Sequence, residues 1–166
     1  MPCYNVNMVD SNNRRQANRD AHLNEALELM HFGFRAIIAH PDERLARLGY
    51  SRVHHRVLYF VGRHPGCTIK ALLGIMRVSK QYLHRPLRQL VDAGYIEART
   101  DPNDRRVKRL RLTARGRRLE STLTGEQREQ MAEVFRRAGP RAEAGWRKVM
   151  GLLSQWPEFS VPLSPD

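Results

Sequence analysis

Cysteine is scarce in this chain, with two in 166 residues, Cys3 and Cys67. They do not make a disulfide framework or a metal-ligand pair with zinc spacing. Cys67 stands between a glycine and a helix cap, where a small half-buried residue fits. A redox-sensing thiol would need an accessible, electropositive setting. No metal or other cofactor is expected. Long apolar runs are absent as well. Nothing approaches the ~20 residues that span a bilayer, and the polar start MPCYNVNMVDSNNRRQAN lacks the apolar core of a secretory signal. A soluble protein of the cytoplasm is the expectation. A Gly-rich phosphate loop, a metalloprotease helix motif and a nucleophile elbow are all missing, so no converging set of nucleophile, base and electrostatic stabiliser is in view and an enzyme is not expected.

Negative charge is also short. Lys and Arg number 29 against 17 Asp and Glu, a net charge of +12. Between Arg52 and Arg118 there are seventeen basic and four acidic residues, and outside that segment twelve and thirteen. The whole excess therefore sits in the centre of the chain. A concentrated cationic block makes a polyanion the expected partner, because neutralising phosphates releases condensed counterions. Charge alone would equally describe a solvated basic face.

The apolar pattern predicts helices around a compact centre, within one domain or one small domain with helical extensions. Leu23, Leu27, Met30, Phe34, Ile37 and Ile38 recur at three- and four-residue steps, which predicts a long amphipathic helix over Asp20–His40 that Pro41 ends. Ser51 opens a second helix, Arg52–His64, closed by His64-Pro65-Gly66. Thr68 caps a short third helix to about Met76. Ser79 caps a fourth that runs to Ala93 and stops at Gly94. Thr113 opens a helix to about Arg137 with a soft point near Gly125, and a break at Gly139-Pro140 precedes a last helix carrying Trp146, Val149, Met150, Leu152 and Leu153. The apolar stripes of the terminal helices need a cover, and their length suggests a second chain. Residues 1 to about 19 and the tail 156–166 are expected to be mobile.

Two features in the basic block have recognition chemistry. At about 100° per residue, Leu83, Leu87 and Leu90 fall on one side of the fourth helix, with Gln81, Arg85 and Arg88 opposite and His84 beside them. Gln suits bidentate pairing with adenine and Arg with guanine, while Lys80 near the helix start suits a phosphate. Further on, Tyr95–Thr100 and Val107–Leu112 alternate as two strands, with Leu110 and Leu112 on one face and Arg109 and Arg111 on the other. The intervening Asp101-Pro102-Asn103-Asp104-Arg105-Arg106 has turn chemistry, giving a hairpin with a cationic tip. Short helix, turn, amphipathic helix, glycine and basic hairpin come in the order of a winged helix-turn-helix.

The run SKQYLHRPLRQLVDAGYIEARTDPNDRRVKRLRLTARG resembles the signature region of the MarR family of winged-helix transcription regulators. Gly94 stands where that family ends its recognition helix, Tyr95-Ile96 opens the strand, Asp104-x-Arg106 matches a D-x-R wing motif, and Leu112-Thr113-Ala114-Arg115-Gly116 matches an L-T-x-x-G helix start. The similarity extends more loosely over about Asp20–Leu153. It implies a mainly α fold with a small antiparallel β wing, a winged helix-turn-helix flanked by N- and C-terminal dimerisation helices. The implied division is an N-terminal dimerisation helix and linker over 20–50, the DNA-binding domain over 51–116, and C-terminal dimerisation helices over 117–155.

The resemblance further implies a homodimer on a pseudo-palindromic double-stranded operator, acting most simply as a repressor. The expected DNA contacts are Ser79, Lys80, Gln81, Tyr82, His84, Arg85 and Arg88 on the helix, and Asp104, Arg105, Arg106 and Lys108 on the wing. Arg106, or Arg105 with it, would reach the minor groove while Asp104 orients an arginine by a charge-assisted hydrogen bond; a plain turn residue is the other role open to Asp104. Members of the family commonly respond to small aromatic or phenolic anions. The matching region here holds His31, Phe34 and Arg35 on the first helix and His54, His55 and Tyr59 on the second. Phe34 lies in the apolar stripe and His54 adjoins a packed face, so both also have a structural reading. The alternative function is a general nucleic-acid-binding or RNA-binding winged helix without an effector. Pro86 departs from the pattern. Inside a helix it has no amide for the carbonyl of Tyr82, which predicts a kink or a later helix start.

Overall fold

The computed structural model describes Val6–Trp156, with side chains from Asn13 onward. The described chain forms two units, one up to Ala39 and one from His40. The first consists of most of α1 (Val6–Arg47), an uninterrupted helix. Two expectations are corrected here. The helix begins at Val6 rather than Asp20, so most of the segment expected to be mobile is helical, and Pro41 does not end it. The proline lacks one amide, but the residues after it anchor the helix: Leu45 is fully buried, and Asp42 accepts from Arg52 Nη2 at 2.6 Å and Nε at 3.2 Å. Tertiary packing of the last turns outweighs the loss of one backbone bond. Residues 157–166 of the expected tail lie outside the described residues.

The second unit continues with α2 (Arg52–Arg63), β1 (Cys67–Thr68), α3 (Ile69–Met76), α4 (Lys80–Asp92), β2 (Ile96–Thr100), β3 (Lys108–Leu112), α5 (Ala114–Ala138) and α6 (Pro140–Ser154). Three of these helices start where a hydroxyl relieves an orphan amide: Thr68 accepts from the Ala71 amide, Ser79 from Tyr82 and Thr113 from Gly116, each cap contributing roughly 1 kcal/mol. α5 runs unbroken through Gly125, so the expected soft point is not a break. The sheet has three strands rather than two, all antiparallel in the order β1-β3-β2. β1 escapes a reading of the sequence because two residues carry no periodicity; its pairing is Cys67 with Leu110 and Thr68 with Arg109.

The core gathers apolar side chains from the end of α1, from α2 to α5 and from the two longer strands: Leu45, Val57, Leu58 and Val61 meet Leu72, Leu83, Leu87 and Leu90, closed by Tyr95, Ile96, Leu110, Leu112 and Leu123. Two buried histidines brace α2. His54 Nδ1 accepts from the Ser51 amide at 3.0 Å, which leaves Nε2 as the donor to Gln89 Oε1 at 2.9 Å. His55 Nε2 lies 3.1 Å from Thr124 Oγ1 on α5. Burial pushes the His55 pKa below its ordinary 6.5, against an opposing pull from Glu120 and Asp42. The unfolded chain therefore binds a proton at His55 that the folded chain refuses, and stability is lost as pH falls below about 6.5. The melting temperature should drop by a few degrees between about pH 7.5 and about pH 5.5, a window in which carboxylates stay ionised. His55→Gln should flatten that dependence. An equally steep profile in the variant would show that another group carries it.

Candidate nucleic-acid interface

α4 has the two faces that its spacing predicts. Leu83, Leu87 and Leu90 are buried, while Lys80, Gln81, Tyr82, His84, Arg85 and Arg88 are exposed. The Ser79 cap at 3.2 Å from the Tyr82 amide fixes the helix start, so Pro86 is interior and the later start is excluded. Among the described residues the side chains of Lys80, Gln81, His84 and Arg85 have no hydrogen-bond or ion-pair partner, so their polar groups are open to a ligand. Arg88 leans on Asp92 at 3.5 Å, an exposed pair one turn away. Gly94, at φ +71°, ends the helix in a conformation that a side chain would oppose.

The wing is braced from within. Thr100 pairs with Lys108, and the Lys108 ammonium donates to Thr100 Oγ1 at 2.7 Å. Asp101, whose side chain is buried, accepts from the Asn103 amide at 2.8 Å and from Arg109 Nε, while Arg109 Nη1 donates to the Gly66 carbonyl at 3.2 Å. The Asn103 amide and the Arg109 guanidinium hold the Asp101 carboxyl below its usual range. This brace, which fixes the hairpin on the loop before β1, leaves no mark in the spacing of the sequence. Arg109 is outward-facing as expected, yet it is a structural strut. The two-residue alternation could place it on the outer face but could not reveal that the turn's first aspartate points back at it.

At the tip, Asp104 accepts from the Arg106 amide at 3.0 Å and from its guanidinium at 3.2 and 3.4 Å. That hydrogen bonding depresses the Asp104 pKa, so the carboxylate stays charged throughout the neutral range. The Arg106 side chain is nevertheless 91% exposed. It is oriented and uncovered at once. Arg105 is exposed and has no such partner among the described residues.

Three comparisons fit this geometry. The MarR family model matches residues 48–107, from the turn after α1 to the wing tip. The HTH-type transcriptional regulator PetP of Rhodobacter capsulatus is 41% identical over 134 residues, covering 81% of each chain. The chain belongs to the MarR family. Solved structures share the fold: Streptococcus pneumoniae FabT in complex with DNA superposes with a TM-score of 0.72 at 20% identity, over 82% of this chain and 97% of that one. A MarR-family regulator from Silicibacter pomeroyi superposes at 0.63 and 23% identity, over 77% and 86%. As a MarR-family chain this protein is a winged-helix, DNA-binding transcription regulator, and its relatives are regulators rather than enzymes. No described helix is long and apolar enough to cross a membrane.

The family assignment gives the other sequence candidates their context. His31, Phe34 and Arg35 lie in the first unit, whereas His54, His55 and Tyr59 lie on α2 in the second. His54 engages both ring nitrogens and His55 its Nε2, and His54 also stacks on Tyr50 at 4.6 Å. A charged groove of about 440 Å³ in the second unit is lined by His40, Glu43, Arg44, Arg47 and Glu126 and includes none of the six. Among the described residues no group of three or more His, Cys, Asp or Glu is placed to hold a metal. Burial raises the pKa of the Cys67 thiol, the opposite of what a reactive thiolate needs. Cys3 lies outside the described residues.

Proposed function

We propose that this MarR-family chain is a homodimeric, sequence-specific regulator, most simply a repressor of the cytoplasm, that reads a double-stranded operator with α4 in the major groove and Arg106 of the wing in the adjacent minor groove. The observation that carries this reading is the pairing of an open polar face on α4 with a wing arginine held outward by Asp104. Gln81 and Arg85 supply base-edge chemistry, Lys80, His84 and Arg88 flank them, and Lys108 braces the tip. Apolar side chains left exposed in each unit, Leu27 and Phe32 in the first and Val149 and Leu152 in the second, support a second copy as their cover. Two-fold symmetry then demands a pseudo-palindrome with half-sites about 10 bp apart.

Titration of a recovered duplex against scrambled duplex and RNA at one salt concentration tests the function. Preference for one duplex by a factor on the order of 10³ or more is expected; equal binding to arbitrary duplexes or to RNA would establish the general nucleic-acid-binding alternative instead. A footprint without two-fold symmetry would reject the dimer. A small aromatic or phenolic acid is proposed to release the operator by biasing the distance between the two recognition helices, and a screen of such acids against the bound duplex decides it.

Pro86 bears on the same helix. It withholds an amide from the Tyr82 carbonyl within the segment that carries the base-reading residues, so Pro86→Ala should change operator preference while leaving the melting temperature unchanged or higher. Unchanged preference with a lowered melting temperature would mean the proline serves packing.

A further inference from the structure

We propose that Arg77 is a positioning residue that ties the start of the recognition helix to the end of α6. The inference rests on the DNA-binding role of α4. Arg77 forms the C-cap of α3 at φ 51° and ψ 50°, and it is the only non-glycine residue at positive φ among those described. Glycine would hold that left-handed turn without a Cβ to oppose it, so the backbone gains nothing from arginine there. The side chain has a partner far away in sequence: Arg77 Nη1 donates to the Ser154 carbonyl at 3.2 Å. Ser154 is the last residue of α6, where carbonyls have no intrahelical donor and the helix dipole is negative. α6 has no basic residue in its own last turn. A cation from the helix-turn-helix supplies what the helix lacks.

Two residues after Arg77, Ser79 caps α4. The bond therefore joins the hinge of the DNA-reading motif to a helix whose Trp146, Val149, Leu152 and Leu153 are exposed. Whatever covers that apolar face also sets where Ser154 stands, and through Arg77 where α4 begins. The connection is a physical one, a charge-assisted bond between two elements, and it makes the occupancy of α6 a determinant of how α4 is presented.

The chain has two tryptophans, Trp146 and Trp156. In a Trp146→Phe background the remaining tryptophan reports from two residues beyond Ser154. Arg77→Gly and Arg77→Lys are compared with Arg77 in the full-length protein. In the free protein, Arg77→Gly should increase quencher access to Trp156 and speed amide exchange in the last turn of α6, without lowering the melting temperature. With DNA it should weaken binding to the preferred duplex by about threefold to tenfold, leaving the salt slope and the affinity for scrambled duplex unchanged. Arg77→Lys, which keeps one donor, should fall between. An unchanged α6 end would overturn the proposal. So would a loosened end with unaltered duplex affinity, which leaves a cap without coupling. A salt slope smaller by about one, with specific and scrambled duplexes weakened alike, would make Arg77 a phosphate contact and equally overturn it. A wild-type chain that prefers no duplex would overturn the function itself, before any Arg77 variant is compared.

Discussion

Arg106→Ala should weaken binding to the preferred duplex by about tenfold to a hundredfold at fixed salt, the loss expected of a charge-assisted contact in a groove. The slope of log affinity against log salt should shrink by about one if the guanidinium also displaces a counterion. Fluorescence anisotropy with a labelled duplex measures both. Arg105→Ala should cost less, because Arg105 has no partner among the described residues to hold it and must be ordered on binding, whereas Asp104 already restrains Arg106 through three hydrogen bonds. Asp104→Asn separates orientation from charge. Removing a negative charge beside phosphates should by itself raise affinity for every duplex. Lower affinity for the preferred duplex despite that gain would mark Asp104 as the residue that aims Arg106, and higher affinity throughout would reduce it to a turn residue. Equal losses at Arg105 and Arg106 would undo the distinction the geometry draws between them.

How far this geometry could be read from residues depends on the range of the interactions behind it. The two faces of α4, its Ser79 start and its Gly94 stop follow from local rules, and each has its expected place. The wing was legible for the same reason, since alternation of Leu110 and Leu112 with Arg109 and Arg111 requires only a strand. Legibility failed where distant partners decide. Pro41 has the local chemistry of a helix stop, but Leu45 in the core and the Arg52 clamp on Asp42 carry α1 on to Arg47. β1 exists only because Cys67 and Thr68 meet β3. The Asp101–Arg109–Gly66 brace and the His54–Gln89 strut join segments that no periodicity links. The exposed polar face of α4 was open to sequence reasoning because helical spacing alone sets it opposite Leu83, Leu87 and Leu90; the struts that brace the wing were not.

Gly116→Ala should be among the most damaging single-methyl changes in the chain. A Cβ at Gly116 would lie 2.0 Å from the Tyr95 carbonyl oxygen and 2.9 Å from its carbon, both backbone atoms. That oxygen also accepts from the Thr113 amide at 3.0 Å, while the Thr113 hydroxyl donates to the Gly94 carbonyl at 2.7 Å and accepts from the Gly116 amide at 3.0 Å. Moving either side of the contact therefore disturbs the end of α4, the opening of β2 and the cap of α5 together. A destabilisation of about 3 kcal/mol or more is expected, at the upper end of overpacking, which for a chain of this size lowers the melting temperature by roughly 6–12 °C. Gly125→Ala on the same helix provides the contrast. Nothing lies within 4 Å of its added Cβ, so the substitution should stabilise by about 0.5–1 kcal/mol through helix propensity alone. Opposite signs at two glycines of α5 would show that the glycine of the L-T-x-x-G start is demanded by the closeness of the Tyr95 carbonyl. Equal and mild effects would mean that the junction between recognition helix, wing and α5 yields easily, and would remove the rigid base on which the aim of Arg106 depends.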